Sequence, residues 1–258
     1  MDLRKYIPRN FKNKLHRIIL GYTGFNPCFS QGGEDMILRT IFKGVDKGFF
    51  IDVGAYHPTI GSNTYFLYRT QGWRGINIDP NTENIDLFNK KRPEDTNINI
   101  AIGKNEGSIF YYQQESPSMN FCSKEEQPLD SYKSRKSVII SPLSAILKPF
   151  CKKTIDLMTI DVEGYEFDVL TSNDWNLYRP KVIVIEQSIQ DICHGTCINY
   201  LKNMGYHIFS FSTLGIHHGA IMCNLFFADL KEFPFVSQLP ELETNLYNSK
   251  YITKTPLH

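Results

Sequence analysis

The chain has 258 residues, 41% of them hydrophobic and 21% charged, with a formal net charge of +1. That size and composition suit one large globular α/β domain with insertions. The near-neutral balance argues against a dedicated nucleic-acid binder, which carries a strong basic excess, and no run approaches the ~18 apolar residues that a membrane-spanning helix needs.

Residues 1–29 form a basic extension, expected to be helical, in which Arg4, Lys5, Arg9, Lys12, Lys14 and Arg17 face a single Asp2. On a helix Phe11, Leu15, Ile18 and Ile19 share one face, opposite most of the cations. That face suits packing on the domain or on a second copy of the chain, and it would also suit peripheral contact with an anionic membrane. The run Ile18-Ile19-Leu20 is too short for a signal-peptide core. The six cysteines show no disulfide spacing, and Cys193 and Cys197 lack the second pair that a zinc site requires. A reducing, cytoplasmic setting is expected.

The main domain, 30–231, alternates strand and helix. Gly48-Phe49-Phe50-Ile51-Asp52-Val53-Gly54-Ala55 reads as a central parallel strand, apolar on both faces and ending in an acid and a glycine. A crossover helix over 62–71 leads to a second strand, Gly75-Ile76-Asn77-Ile78-Asp79. A helix over 85–91, a strand over 97–102 and a hairpin strand over 108–113 follow. Residues 114–137 turn polar with little periodicity and are expected to form a mobile insertion, a candidate substrate lid.

Regular structure resumes with a strand at 138–140 and a short helix over 142–147. The apolar strand 154–161 ends in Asp161, and after a helix over 165–171 the strand 181–186 ends in Glu186. A helix over 193–204 is closed by Gly205. Strands at 207–211 and 222–228 are joined by a turn holding Gly215, His217, His218 and Gly219. This order predicts a doubly wound, mostly parallel sheet of about seven strands whose last strand is antiparallel. The tail, 232–258, is polar and is expected to cap the fold.

In open α/β sheets ligands sit beyond the carboxyl ends of the strands. Here Asp52, Asp79, Asp161 and Glu186 crowd that rim, and buried carboxylates need cationic, metal or hydrogen-bonding partners. A dinucleotide would prefer a glycine-rich turn after the first strand. The single Gly54 beside Asp52 is poor for a diphosphate and suits a ligand with an ammonium group and no phosphate, such as S-adenosylmethionine.

The chain resembles the FkbM family of S-adenosylmethionine-dependent methyltransferases, which have the class I Rossmann-like fold. The resemblance rests on ordered motifs: Ser30-Gln31-Gly32-Gly33-Glu34-Asp35, Phe50-Ile51-Asp52-Val53-Gly54-Ala55, Ser62-Asn63-Thr64, Gly72-Trp73-Arg74-Gly75 and Ile78-Asp79-Pro80-Asn81. It continues through Asn99-Ile100-Ala101-Ile102, Ile160-Asp161-Val162-Glu163-Gly164-Tyr165-Glu166, Arg179-Pro180 and Val184-Ile185-Glu186.

The resemblance implies methyl transfer to oxygen on a sugar or glycan-attached group, in polysaccharide or natural-product biosynthesis. It implies that Asp52, Gly54 and Ala55 line the cofactor's amino acid end and that Asp79 accepts the ribose hydroxyls, with Pro80 and Asn81 shaping that turn. Asn99, Ala101 and Ile102 would sit near adenine. Gln31, Glu34 and Asn63 complete the expected cofactor set, and Glu34 is equally at home as a first-turn acid of a helix.

A sugar hydroxyl needs a general base or a metal to manage its proton. Asp161, Glu163 and His57 are the candidate catalytic groups. Asp161 with Glu186 is a candidate seat for Mg²⁺ or Mn²⁺. Tyr56, Trp73, Tyr111 and Tyr112 could stack on a sugar, core packing being the better expectation for Trp73. Methylation of an amine or nucleic acid, or a non-catalytic cofactor-binding domain, are the competing readings. Against them stand Asp161-Val162-Glu163-Gly164, where amino-methylating nucleic-acid enzymes typically carry an Asn- or Asp-Pro-Pro-aromatic turn, and the full set of strand-end acids.

Overall fold

The structure is a computed structural model that describes residues 28–151, 154–192, 195–217 and 220–238. The basic extension up to residue 27, Cys193, His218 and the tail beyond 238 lie outside the described residues.

After helix α1 (Glu34–Ile41), strand β1 (Phe49–Val53) leads through α2 (Tyr65–Thr70) to β2 (Arg74–Asp79). Helix α3 (Thr82–Lys91) and strand β3 (Thr96–Asn99) follow. Four strands come next: β4 (Ala101–Ile102), β5 (Gly107–Gln113), β6 (Phe121–Ser123) and β7 (Ser134–Ser141). The second half runs α4 (Leu143–Leu147), β8 (Leu157–Ile160), α5 (Glu166–Ser172), β9 (Val182–Ser188), α6 (Thr196–Asn203), β10 (Tyr206–His217) and β11 (Ala220–Asp229).

The main sheet has seven strands in the order β3-β2-β1-β8-β9-β11-β10. Pairings among β3, β2, β1, β8 and β9 are parallel, while β11 is antiparallel to both β9 and β10. This is the expected doubly wound sheet with a reversed last strand. The strand order turns back between β1 and β8, which makes their carboxyl ends the switch point where α/β sheets bind ligands.

Successive strand residues point to opposite faces, so each strand feeds two cores. Ile51, Val53, Ile76, Ile78, Met158, Ile160, Ile183 and Ile185 pack with Leu143, Leu147, Val169, Leu170, Ile198 and Leu201 from α4, α5 and α6. On the other face Phe50, Leu157, Val184 and Phe226 meet Leu38 of α1, Phe66 and Leu67 of α2, and Trp73. Trp73 is fully buried and its Nε1 donates to the Val45 carbonyl at 2.8 Å, which makes it a core residue. Each such ring or branched chain contributes about 1.5–3 kcal/mol by leaving water.

Two sequence expectations are corrected. The apolar alternation over 97–102 is not one strand: the chain leaves the main sheet after Asn99, and Ala101 and Ile102 pair with Ile140 and Ser141 of β7 in a second sheet. That sheet has the order β4-β7-β5-β6. It absorbs much of the segment expected to be irregular, because β7 begins at Ser134 and Tyr111 pairs with Cys122 of β6. Tyr112, completely buried, stacks on Phe121 at 5.1 Å and holds this small sheet together.

Candidate active site

A cavity of about 410 Å³ opens at the switch point. Its floor is the carboxyl ends of β1, β2, β8 and β9, which deliver Asp52, Asp79, Asp161 and Glu186. Gly54, Ala55 and Tyr56 form one wall, Ala101 and Ile102 another, and Tyr111, Phe121 and Cys122 of the second sheet a third. The isolated bridge between Ser30 and Gly61 brings Gln31 and Asn63 onto the rim.

Gly54 has φ +79, and a Cβ there would lie 1.6 Å from the Asp161 carbonyl oxygen. The glycine is required by the crossing of the ends of β1 and β8, so it shapes the floor through the fold itself. Two residues with side chains also hold left-handed backbone at this cavity, Tyr56 (φ 50) and Glu163 (φ 52). Such geometry costs about 1–3 kcal/mol and concentrates at functional sites.

Asp52 lies on the face opposite Ile51 and Val53. Its Oδ1 accepts from Thr159 Oγ1 at 2.6 Å and its Oδ2 from Thr64 Oγ1 at 2.9 Å. Thr64 Oγ1 in turn accepts from Arg92 Nη1 at 3.0 Å, and the fully buried Arg92 pairs with Asp95 at 2.8 Å. Burial raises the Asp52 pKa, while the two hydroxyls and the Arg92 charge oppose that rise.

Asp79 takes three donors: Tyr56 N at 2.9 Å, Asn81 N at 2.7 Å and Asn84 Nδ2 at 3.2 Å. A carboxylate offers about four lone-pair sites, so one remains for a ligand, and a second opens if Asn84 turns away. Burial lifts its pKa from 3.8 to about 6.

Asp161, Glu163 and Glu186 form a tight acidic cluster, with one oxygen of each within 4.8 Å of the others. Asp161 and Glu186 are hydrogen-bonded carboxyls, and burial with mutual repulsion holds Asp161 well above its usual range. Burial, then its acidic neighbours, lifts Glu163 to about 8 and, net of the bond from Asp161, Glu186 to about 7. No Lys, Arg or His is among the described residues lining the cavity. Acids packed this way are stabilised by sharing protons or by gaining a cation.

Residues 52–208 match the methyltransferase FkbM domain. The chain belongs to the FkbM methyltransferase family. Membership makes it an S-adenosylmethionine-dependent methyltransferase, and a phosphate-free cationic nucleoside is the ligand that this acid-floored cavity fits. A search of curated proteins gives no match. Among solved structures the chain is similar to a TehB-like SAM-dependent methyltransferase from Corynebacterium glutamicum, with 13% identity over 84% of this chain and 97% of that one (TM-score 0.42). It is similar to the N-methyltransferase NodS from Bradyrhizobium japonicum, with 12% identity over 76% and 93% (TM-score 0.43). A putative O-methyltransferase from Klebsiella pneumoniae gives 10% identity over 88% and 94% (TM-score 0.41).

Of the site residues singled out from the sequence, the cavity gathers Gln31, Asp52, Gly54, Ala55, Asn63, Asp79, Pro80, Ala101, Ile102, Asp161, Glu163 and Glu186. Four candidates fall outside its lining. Glu34 is wholly buried as a clasp, its Oε1 accepting from Asn224 Nδ2 at 3.1 Å and from Ser212 Oγ, and its Oε2 from Gly32 N at 2.9 Å. Asn81 caps α3, accepting from Glu83 N at 3.3 Å. Asn99 fixes the turn after β2 by donating from Nδ2 to the Asp79 carbonyl at 3.0 Å. His57 spends its Nδ1 on the backbone N–H groups of Thr59 (3.1 Å) and Ile60 (2.9 Å), and burial lowers its pKa. These bonds give His57 a turn-capping role, and it does not line the cavity. Thr64, Thr159 and Arg92, which hold Asp52 at the cavity floor, were not singled out together from the sequence, although Thr64 lies inside a quoted motif.

Proposed function

We propose that this chain transfers a methyl group from S-adenosylmethionine to a hydroxyl oxygen of a sugar or of a glycan-attached group in polysaccharide or natural-product biosynthesis. The observation that carries the reading is the cluster of Asp161, Glu163 and Glu186, with no cationic side chain among the described lining residues. S-adenosylmethionine, when bound, supplies an electrophilic methyl group on a sulfonium. Asp52 faces the amino acid end, Asp79 accepts a ribose hydroxyl, and Ala101 and Ile102 offer an apolar surface for adenine. Glu163, with its pKa at about 8, is poised near neutrality to take the proton that the acceptor hydroxyl loses as its oxygen gains the methyl group.

The same three acids suit Mg²⁺ or Mn²⁺, hard ions that prefer an all-oxygen set. An ion held there would stabilise charge on the acceptor oxygen and relieve the repulsion that raises these pKa values. The net charge of +1 supports a small-molecule or glycan acceptor over nucleic acid.

The test has two parts. Calorimetry should show S-adenosylhomocysteine binding with no binding of NADH, and mass spectrometry of sugars and oligosaccharides incubated with S-adenosylmethionine should show the gain of one methylene mass. Glu163→Gln should lower kcat by roughly a hundredfold or more while leaving S-adenosylhomocysteine affinity within about twofold. Transfer to amines alone would overturn the oxygen assignment, and full activity in EDTA would leave Glu163 to act without an ion.

A further inference from the structure

We infer that the second sheet closes the nucleoside end of the cavity, so that Tyr111, Phe121 and Cys122 set cofactor affinity and leave acceptor choice to other walls. The inference rests on the cofactor reading above and gives a cofactor-binding role to a segment expected from the sequence to be a substrate lid.

Three independent contacts place this arm. Tyr111, Phe121 and Cys122 line the same cavity as Ala101 and Ile102, and Cys122 packs on the apolar cluster formed by Ala101, Ile109 and Ile140. Lys136 of β7 donates from Nζ to Asn81 Oδ1 at 3.3 Å, tying the arm to the turn that follows Asp79. At its other edge the Lys124 backbone N–H donates to the Tyr165 hydroxyl at 3.1 Å, so the arm spans from the ribose turn to the start of α5.

The electrostatics agree with this placement. Burial first, then the charge of Asp79, raises the Tyr111 and Cys122 pKa values, that of Cys122 to about 12. Tyr111 Oη is held by Asn120 Nδ2 at 2.9 Å, and Asn120 Oδ1 by Gln114 N at 2.7 Å, so the roof is a braced structure. Gln31, Leu214 and the acidic cluster lie on the remaining walls, where the acceptor must reach the reacting atoms.

An adenosine ligand that lacks the amino acid separates the two ends. 5′-Methylthioadenosine and S-adenosylhomocysteine are titrated calorimetrically into wild type, Phe121→Ala and Cys122→Trp, with thermal melts as a check on folding. Phe121→Ala removes an aromatic wall, and Cys122→Trp fills the space beside it. Both variants should weaken both ligands by a similar factor, roughly five- to a hundredfold, the span of base-on-aromatic contacts. Affinities unchanged within about twofold, or loss confined to S-adenosylhomocysteine, would overturn the inference. Wild type that binds neither ligand would instead remove the cofactor reading. If Phe121→Ala fails to fold, Phe121→Leu keeps the bulk, loses the ring and reads the same effect.

Discussion

Asp52 is held by hydroxyls, with the balancing cation one residue further back. Because Thr64 Oγ1 accepts from Arg92, its own hydrogen is free to point at Asp52 Oδ2, and the Arg92 charge reaches the carboxylate through an oriented hydroxyl. Charge-assisted bonds of this kind are about twice as strong as neutral ones. Thr64→Val keeps the shape of the side chain and cuts the relay. On the proposed binding mode, in which the ammonium group faces Asp52, it should weaken S-adenosylhomocysteine by about tenfold and leave 5′-methylthioadenosine nearly untouched. Equal losses for the two ligands in calorimetry would show that the relay merely supports the fold. None of this was visible in the sequence, since Thr159 and Asp52 are 107 residues apart and Arg92 lies in what reads as a surface helix end.

At the level of elements, the floor of the site was legible because its signal is local. Apolar strand runs ending in an acid name Asp52, Asp79, Asp161 and Glu186 without any knowledge of packing, and the structure places all four at the cavity. What failed to read was choice of partner. A period of two over Ile98, Ile100 and Ile102 says that a strand exists, while saying nothing of the change of sheet after Asn99. The three-residue β6 is too short to show a period at all. Glu34 looked the same as any first-turn acid, and only its long-range bonds to Ser212 and Asn224 show the clasp.

The meeting of β1 and β8 gives a sharp test at this scale. Gly54→Ala would push a methyl group into the Asp161 carbonyl and force a left-handed alanine. The neighbour is backbone, so relief requires parting two paired strands. Unfolding free energy, measured in urea, should fall by about 3 kcal/mol, and S-adenosylhomocysteine binding should be lost with it. A variant with wild-type stability would mean that the two strand ends are not packed this closely.

Across the whole molecule, the acidic rim links ligand binding to stability. Burial, repulsion or both raise Asp52, Asp79, Asp161, Glu163, Glu166 and Glu186 above their usual values of 3.8 and 4.5. An acid with a raised folded-state pKa binds more protons when folded than when unfolded. Its contribution is therefore fully present below about pH 4 and is lost as pH climbs through the folded values, about 6 for Asp79, 7 for Glu186 and 8 for Glu163. His57, its pKa lowered by burial, works in the opposite sense below its usual 6.5, but it is one group against six. The melting temperature of the ligand-free protein should fall as pH is raised from 5 to 8. Glu163→Gln should flatten that slope, because its amide does not titrate. S-adenosylmethionine should flatten it further, since its positive charges favour the ionised acids and bring their pKa values down. A ligand-free melting temperature that rises over this window would mean that the carboxyl groups are already compensated, and with that the demand for a cationic ligand at the sheet's edge would disappear.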